Sequence, residues 1–188
     1  SSASLILISF IVFVFLGDLP ESERHPLPEI PELEDPQFKK VYGEYWWPVN
    51  YERALENAMD PSHAPFVHGN RFGNLDKPEV GDFDVVLTEW SGLATIPLYP
   101  PPGQPKGAWG KLFRKSVEDV DTPVQIPTKA GFYLPNINIL QVPLPFGTML
   151  LIDANVPVSE KETRSLFIAC RTFLKGDWAD KDAVKRVH

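Results

Sequence analysis

The sequence predicts an α+β domain built on a mainly antiparallel sheet. Three observations lead there. Apolar, strand-like segments separated by glycine and proline fill the chain from residue 83 onward, one helix-forming stretch precedes them at residues 51–59, and the strand–helix alternation of a parallel sheet is missing. With 188 residues and 43% hydrophobic content the chain can bury one core and has no room for two complete domains.

Taken in order, the first element is an apolar run at residues 5–16. It is shorter than the roughly 20 residues that span a bilayer, and no basic segment precedes it. Its β-branched and aromatic content predicts a buried strand ending at Gly17-Asp18. Residues 20–36 carry five prolines among acidic side chains, which predicts an extended surface connection. Tyr42, Tyr45, Trp46 and Trp47 mark a short strand over residues 41–48, leading into a helix over residues 51–59 capped by Asn50. Strands are then expected at 83–90, 93–98, 109–117, 124–127, 130–134, 137–142, 148–156 and 164–173, with a final helix from Asp177. Pro100-Pro101-Pro102-Gly103 centres a loop over residues 99–106, placed to cover a pocket mouth.

Charge and cysteine usage exclude several functions. A net charge of -7 without a basic cluster gives no footprint for phosphate backbones, so nucleic acid is not an expected partner. Cys170 is the only cysteine, which excludes an intrachain disulfide framework and any site built from several thiolates, and it fits a reducing compartment. Cys170 follows an apolar stretch and reads as a small buried hydrophobe.

The chemistry concentrates in Asp60-Pro61-Ser62-His63-Ala64-Pro65-Phe66-Val67-His68, a carboxylate and two imidazoles directly after the predicted helix. On that helix Ala54, Leu55, Ala58 and Met59 form an apolar stripe, and Arg53, Glu56, Asn57 and Asp60 share the other face. Glu56 and Asp60 are like charges one turn apart, tolerated best if one has a cationic partner. His63 and His68 on a continuous helix would diverge by roughly 140°, so both can reach one ion only if the helix breaks. Pro61 can open a new turn and Pro65 can permit a kink between the rings. Asp60, three residues before His63, lies close enough in sequence to bond the second nitrogen of His63 or a neighbouring histidine.

The whole string from Asn50 to His63, followed by His68, resembles the mononuclear-iron motif of the Rieske non-haem iron oxygenases. Phe13-Val14-Phe15-Leu16-Gly17-Asp18 likewise resembles the end of a Rieske domain in that family. The resemblance implies that His63 and His68 bind Fe(II) as part of a 2-His-1-carboxylate triad. It also implies that Asp60 couples the iron to a Rieske cluster on an adjacent subunit, and that Asn57 lies near the iron without ligating it strongly. It implies a helix-grip (START/Bet v 1-like) fold, a curved, mainly antiparallel sheet around a long helix with a hydrophobic cavity between. Residues 1–18 would be the remnant of the Rieske domain, 19–40 the connection and 41–188 a C-terminally truncated catalytic domain.

The paired Cys and His motifs of a [2Fe-2S] Rieske centre are absent, so that cofactor is expected in a missing N-terminal domain and the fragment alone is expected to be inactive. Asp177, Asp180 and Asp182 fall short of the place where the family carries its third iron ligand, which is expected beyond the chain. The intact protein is expected to oxidise an apolar aromatic or tetrapyrrole-like compound with dioxygen by hydroxylation, demethylation or ring opening. A reductase or ferredoxin would donate electrons to a homotrimer located in the cytoplasm, or in a plastid if the source is a photosynthetic eukaryote. Two rivals stand beside this reading: a hydrophobic-ligand-binding module of the same fold without iron, and a zinc hydrolase, whose helical His-Glu-x-x-His arrangement is missing. Trp46, Trp47, Trp90, Trp109 and Trp178 are expected mainly in the core, and His25 and His188 in solvent.

Overall fold

The computed structural model describes residues 4–8, 11–68, 73–100, 125–144 and 146–180. The first element is a hairpin, β1 (Ser4–Ile8) against β2 (Ile11–Phe15), paired from Ser4 with Phe15 to Ile8 with Ile11. The apolar run at 5–16 is therefore two strands and not the single buried strand expected. Alternation along β2 explains its exposure: Ile11 and Phe13 pack inward, while Val12 and Val14 are about half exposed at 50% and 47%.

After a connection with 3-10 turns at Glu21–Glu23 and Pro31–Leu33, β3 (Lys39–Trp47) leads into helix α1 (Tyr51–Met59). Asn50 caps α1 as its sequence position predicts, its side-chain oxygen accepting from the Glu52 amide at 2.8 Å. A four-residue helix α2 (Ala64–Val67) follows. The chain then lays down β4 (Asp84–Leu87), β5 (Ser91–Leu98), β6 (Ile126–Tyr133), β7 (Ile137–Leu144), β8 (Gly147–Ser159) and β9 (Glu162–Arg171). These join β3 in a seven-stranded sheet of order β3-β9-β8-β7-β6-β5-β4, with every neighbour antiparallel.

The two strands expected at 124–127 and 130–134 are one, because alternation continues through Thr128, buried, and Lys129, exposed. The strand expected at 109–117 lies outside the described residues, as does most of the proline loop. The final helix is seen only as a 3-10 turn, Asp177–Ala179, and residues 181–188 are outside the description.

Two faces of the sheet do different work. On one, Leu150, Ile152, Ala154, Ile168 and Cys170 pack against Leu33, Ile30 and Phe13, so β2 and the connection close this layer. The connection is thus less superficial than its composition suggests, since Leu33 is buried in the core. Cys170 is buried as expected, and burial pushes its thiol up to about 11.

The opposite face carries α1, which packs against β6, β7, β8 and β9. Among the described residues α1 is the longest helix, nine residues, so the long helix implied by the helix-grip resemblance is not among them. Here Gly43 admits the Phe167 ring, whose nearest atom would lie 2.3 Å from any Cβ at that position. No described helix is long and apolar enough to cross a membrane.

Candidate metal centre

α1 ends where a proline forces it to end. Pro61 disfavours the helical conformation at Asp60, whose ψ of 104° is extended although its amide still bonds the Glu56 carbonyl. The Asp60 side chain accepts from the Ser62 amide at 2.8 Å and steadies the turn that follows. Pro65 sits in the first turn of α2, where its missing N–H costs nothing, so it opens the new helix instead of kinking an existing one. The helix break thus belongs to Asp60-Pro61.

This arrangement answers the divergence problem. His63 is the N-cap of α2 and His68 its C-cap, with the His68 amide on the Ala64 carbonyl at 2.9 Å. The ring centroids are 5.3 Å apart and the planes inclined by 75°. Two imidazoles sharing one ion, each nitrogen about 2.1 Å from it, place their centroids about 4.5–5.5 Å apart in a cis arrangement. The observed separation falls in that range.

Which nitrogen would bind is also set. His63 Nδ1 lies 2.5 Å from the Asp60 backbone carbonyl. A carbonyl can only accept, so Nδ1 is the donor here, and in the neutral ring Nε2 is the nitrogen with a lone pair for a metal. The Asp60 carboxylate is 3.9 Å from Nδ1, so the backbone, not the side chain expected from the sequence, holds the ring. Asp60 and Asn57 are both exposed at the end of α1. Glu56 finds its cation on its own helix, in an ion pair with Arg53.

Among the described residues no three His, Cys, Asp or Glu side chains gather to hold a metal. Asp177 and Asp180 are engaged elsewhere: Asp177 pairs with Lys39 at 2.7 Å, and Asp180 with Arg171, whose guanidinium holds its carboxyl below the ordinary value. Asp182 lies outside the described residues.

Sequence reasoning missed a polar chain beneath α1. Asn138 donates to the Leu55 carbonyl at 3.4 Å, Asn155 donates to Asn138 Oδ1 at 2.7 Å, and Ser165 donates to Asn155 Oδ1 at 2.7 Å. Thr163 adds a bond to the Val49 carbonyl at 2.9 Å, just before α1. Beside them Asp153 accepts from the Tyr45 hydroxyl at 3.1 Å, and burial pushes its carboxyl up to about 7. The same burial, followed by the Asp153 charge, raises the Tyr45 phenol. The available signal was polar residues at period two, Asp153 and Asn155, in the otherwise apolar run over residues 149–158.

The aromatic residues also depart from expectation. Trp46, Trp90 and Trp178 are exposed, Trp46 lying under the Arg164 guanidinium at 5.9 Å. His25 is not in bulk solvent but edge-on to Trp90 at 4.4 Å. Trp109 and His188 are outside the described residues.

The seven-stranded antiparallel sheet with its short helix has counterparts among solved structures. It superimposes on dicamba monooxygenase bound to 3,6-dichlorosalicylic acid with a TM-score of 0.70 at 17% identity, covering 98% of this chain and 54% of that one. NdmA of Pseudomonas putida CBB5 with caffeine matches with a TM-score of 0.69 at 17% identity, over 96% of this chain and 48% of that one. Residues 47–188 match the family model of the vanillate O-demethylase oxygenase C-terminal domain, and the chain belongs to that family, the catalytic domain of Rieske oxygenases.

Two plant relatives share shorter stretches. The chloroplastic protochlorophyllide-dependent translocon component 52 of Arabidopsis thaliana is 48% identical over 46 residues, 24% of this chain and 8% of that protein. The chloroplastic flavonoid 8-hydroxylase 2 of Ocimum basilicum is 43% identical over 51 residues, 27% of this chain and 9% of that protein. The chain thus aligns with under a tenth of these plant relatives and spans about half of the solved chains.

Proposed function

We propose that this chain is the iron-binding part of an oxygenase in which His63 and His68 hold Fe(II), and that the intact protein oxidises an apolar ring compound with dioxygen. The observation that carries this reading is the imidazole pair at the two ends of α2, with His63 Nδ1 committed to a carbonyl and Nε2 left to ligate. Fe(II) held by two histidines and a carboxylate keeps open positions for dioxygen activation, with electrons drawn from a [2Fe-2S] cluster fed by a reductase or ferredoxin.

Each residue has a part. His63 and His68 fix the ion's place, and the Asp60 carbonyl fixes the His63 ring. One oxygen of the exposed Asp60 carboxylate stays on Ser62, and the other, 3.9 Å from His63 Nδ1, would accept from a cluster-ligating histidine of a neighbouring subunit in a homotrimer. Asn57 stands near the metal without ligating it, and the third ligand is a carboxylate outside the described residues.

Hydroxylation, demethylation and ring opening all fit such a site. Dicamba monooxygenase and NdmA hold ring compounds in their solved structures. The plant relatives, named for protochlorophyllide and for a flavonoid, support an aromatic or tetrapyrrole-like substrate and a plastid location.

The test is iron content and substrate-dependent oxygen uptake in the full-length protein, with flavones and a chlorophyll-type tetrapyrrole as substrates. Wild type should hold one iron beyond the two of the cluster. His63→Ala and His68→Ala should each lose that iron and reduce uptake by more than about 100-fold. Full retention of the extra iron in either variant would refute the assignment.

A further inference from the structure

We infer that Gly73 is a positioning residue for the metal pair, acting by letting the chain after the motif press directly on the backbone of α2. This rests on the assignment of His63 and His68 as ligands. Gly73 is buried with φ at +83°, in the left-handed region that favours glycine. A Cβ at Gly73 would come within 2.9 Å of both Pro65 Cα and Pro65 N, and within 3.2 Å of the Ala64 carbonyl carbon. All three are main-chain or ring-fixed atoms, so no flexible side chain can swing away to make room.

The segment that would have to move is α2 itself. It has four residues, and its caps are the two histidines. Ala64 and Pro65 are its buried face, whereas Phe66 and Val67 are exposed. A helix of one turn has little internal rigidity, so its seating is set by what it leans on. Gly73 supplies that surface. The next residue keeps it there: buried Asn74 accepts from the Asp76 amide through its side chain at 2.9 Å and from the Lys77 amide through its carbonyl at 3.0 Å. Displacing α2 by a few tenths of an ångström would tilt His63 and His68 relative to each other, because one is anchored to α1 through Asp60 and the other rides on the far end.

Co(II) binding to the full-length protein with its cluster oxidised and EPR-silent tests this, using Gly81→Ala as the control, since a Cβ at Gly81 meets nothing within 4 Å. Gly73→Ala should weaken Co(II) affinity at least tenfold and change the g-anisotropy of the bound high-spin ion, while Gly81→Ala changes neither. A fall in Tm with affinity and EPR signature unchanged would show a purely structural glycine and overturn the inference. If Gly73→Ala does not fold, Asn74→Ala, which loosens the turn without adding a Cβ at Gly73, should weaken affinity about threefold or more; an unchanged affinity overturns the inference there too. Wild type that takes up no Co(II), or takes it up equally as His63→Ala, would instead show that the metal assignment itself had failed.

Discussion

Replacing Asp153 by asparagine should remove a pH-dependent cost that the wild-type fold carries. Its carboxyl is almost wholly buried on the α1 side of the sheet and is pushed by burial from an ordinary 3.8 up to about 7, with only the Tyr45 hydroxyl bond opposing the shift. Below about pH 4 the acid is protonated folded and unfolded, and costs nothing. Between about pH 4 and 7 the unfolded chain releases a proton that the folded chain keeps, so stability falls as pH rises, by up to about 1.4 kcal/mol per pH unit. Above about pH 7 the charge is present in both states and the penalty reaches about 4 kcal/mol.

Asparagine keeps an oxygen for Tyr45 and cannot ionise. Urea unfolding followed by tryptophan fluorescence at pH 4 and pH 8 measures the difference. The stability of Asp153→Asn relative to wild type should rise by about 4 kcal/mol between the two pH values, whatever its offset at pH 4. Parallel stability curves, differing by less than about 1 kcal/mol in that interval, would refute burial as the cause.

Two further outcomes follow from named contacts. Asn155→Ala strands the Asn138 side-chain oxygen and the Ser165 hydroxyl together, at about 1–3 kcal/mol each, so urea unfolding should show a loss of about 2–6 kcal/mol. Asp60→Asn keeps the acceptor for the Ser62 amide, and the His63 ring rests on a backbone carbonyl the substitution does not touch. Metal content should therefore stay at the wild-type level while substrate-dependent oxygen uptake falls about 10–100-fold, and lost iron would show that the carboxylate itself holds the site.

Local rules carried the first half of the site. Asn50 starts α1 because a side-chain acceptor satisfies an end-of-helix amide, and Asp60-Pro61 ends it because proline restricts the residue before it. Both effects act within a few residues, so they are readable from the chain. What supports the site is not. The Asn138–Asn155–Ser165 chain joins three strands, and Gly73 lies against Pro65, eight residues before it in sequence. Such contacts depend on register and packing, which no window of a single sequence contains. The hairpin at β1 and β2 was hidden for a related reason: an apolar run looks the same whether it continues or folds back on itself.

The placement of the histidines at the caps of one short helix has a consequence for how a metal would be held. A ligand pair within a long helix inherits rigidity from many hydrogen bonds, but α2 is a single turn whose amides at Phe66, Val67 and His68 bond only to His63 and Ala64. Its geometry is instead assembled from three sides: the Asp60 carbonyl on the His63 ring, the Gly73 backbone under Pro65, and the polar chain that fixes α1 to the sheet. Metal that binds only this seated form stabilises it by RT ln(1 + [metal]/Kd), about 4 kcal/mol at a thousandfold excess over Kd. Loosening any of the three supports would therefore weaken binding of a metal held by the two histidines, even though none of the supports touches it.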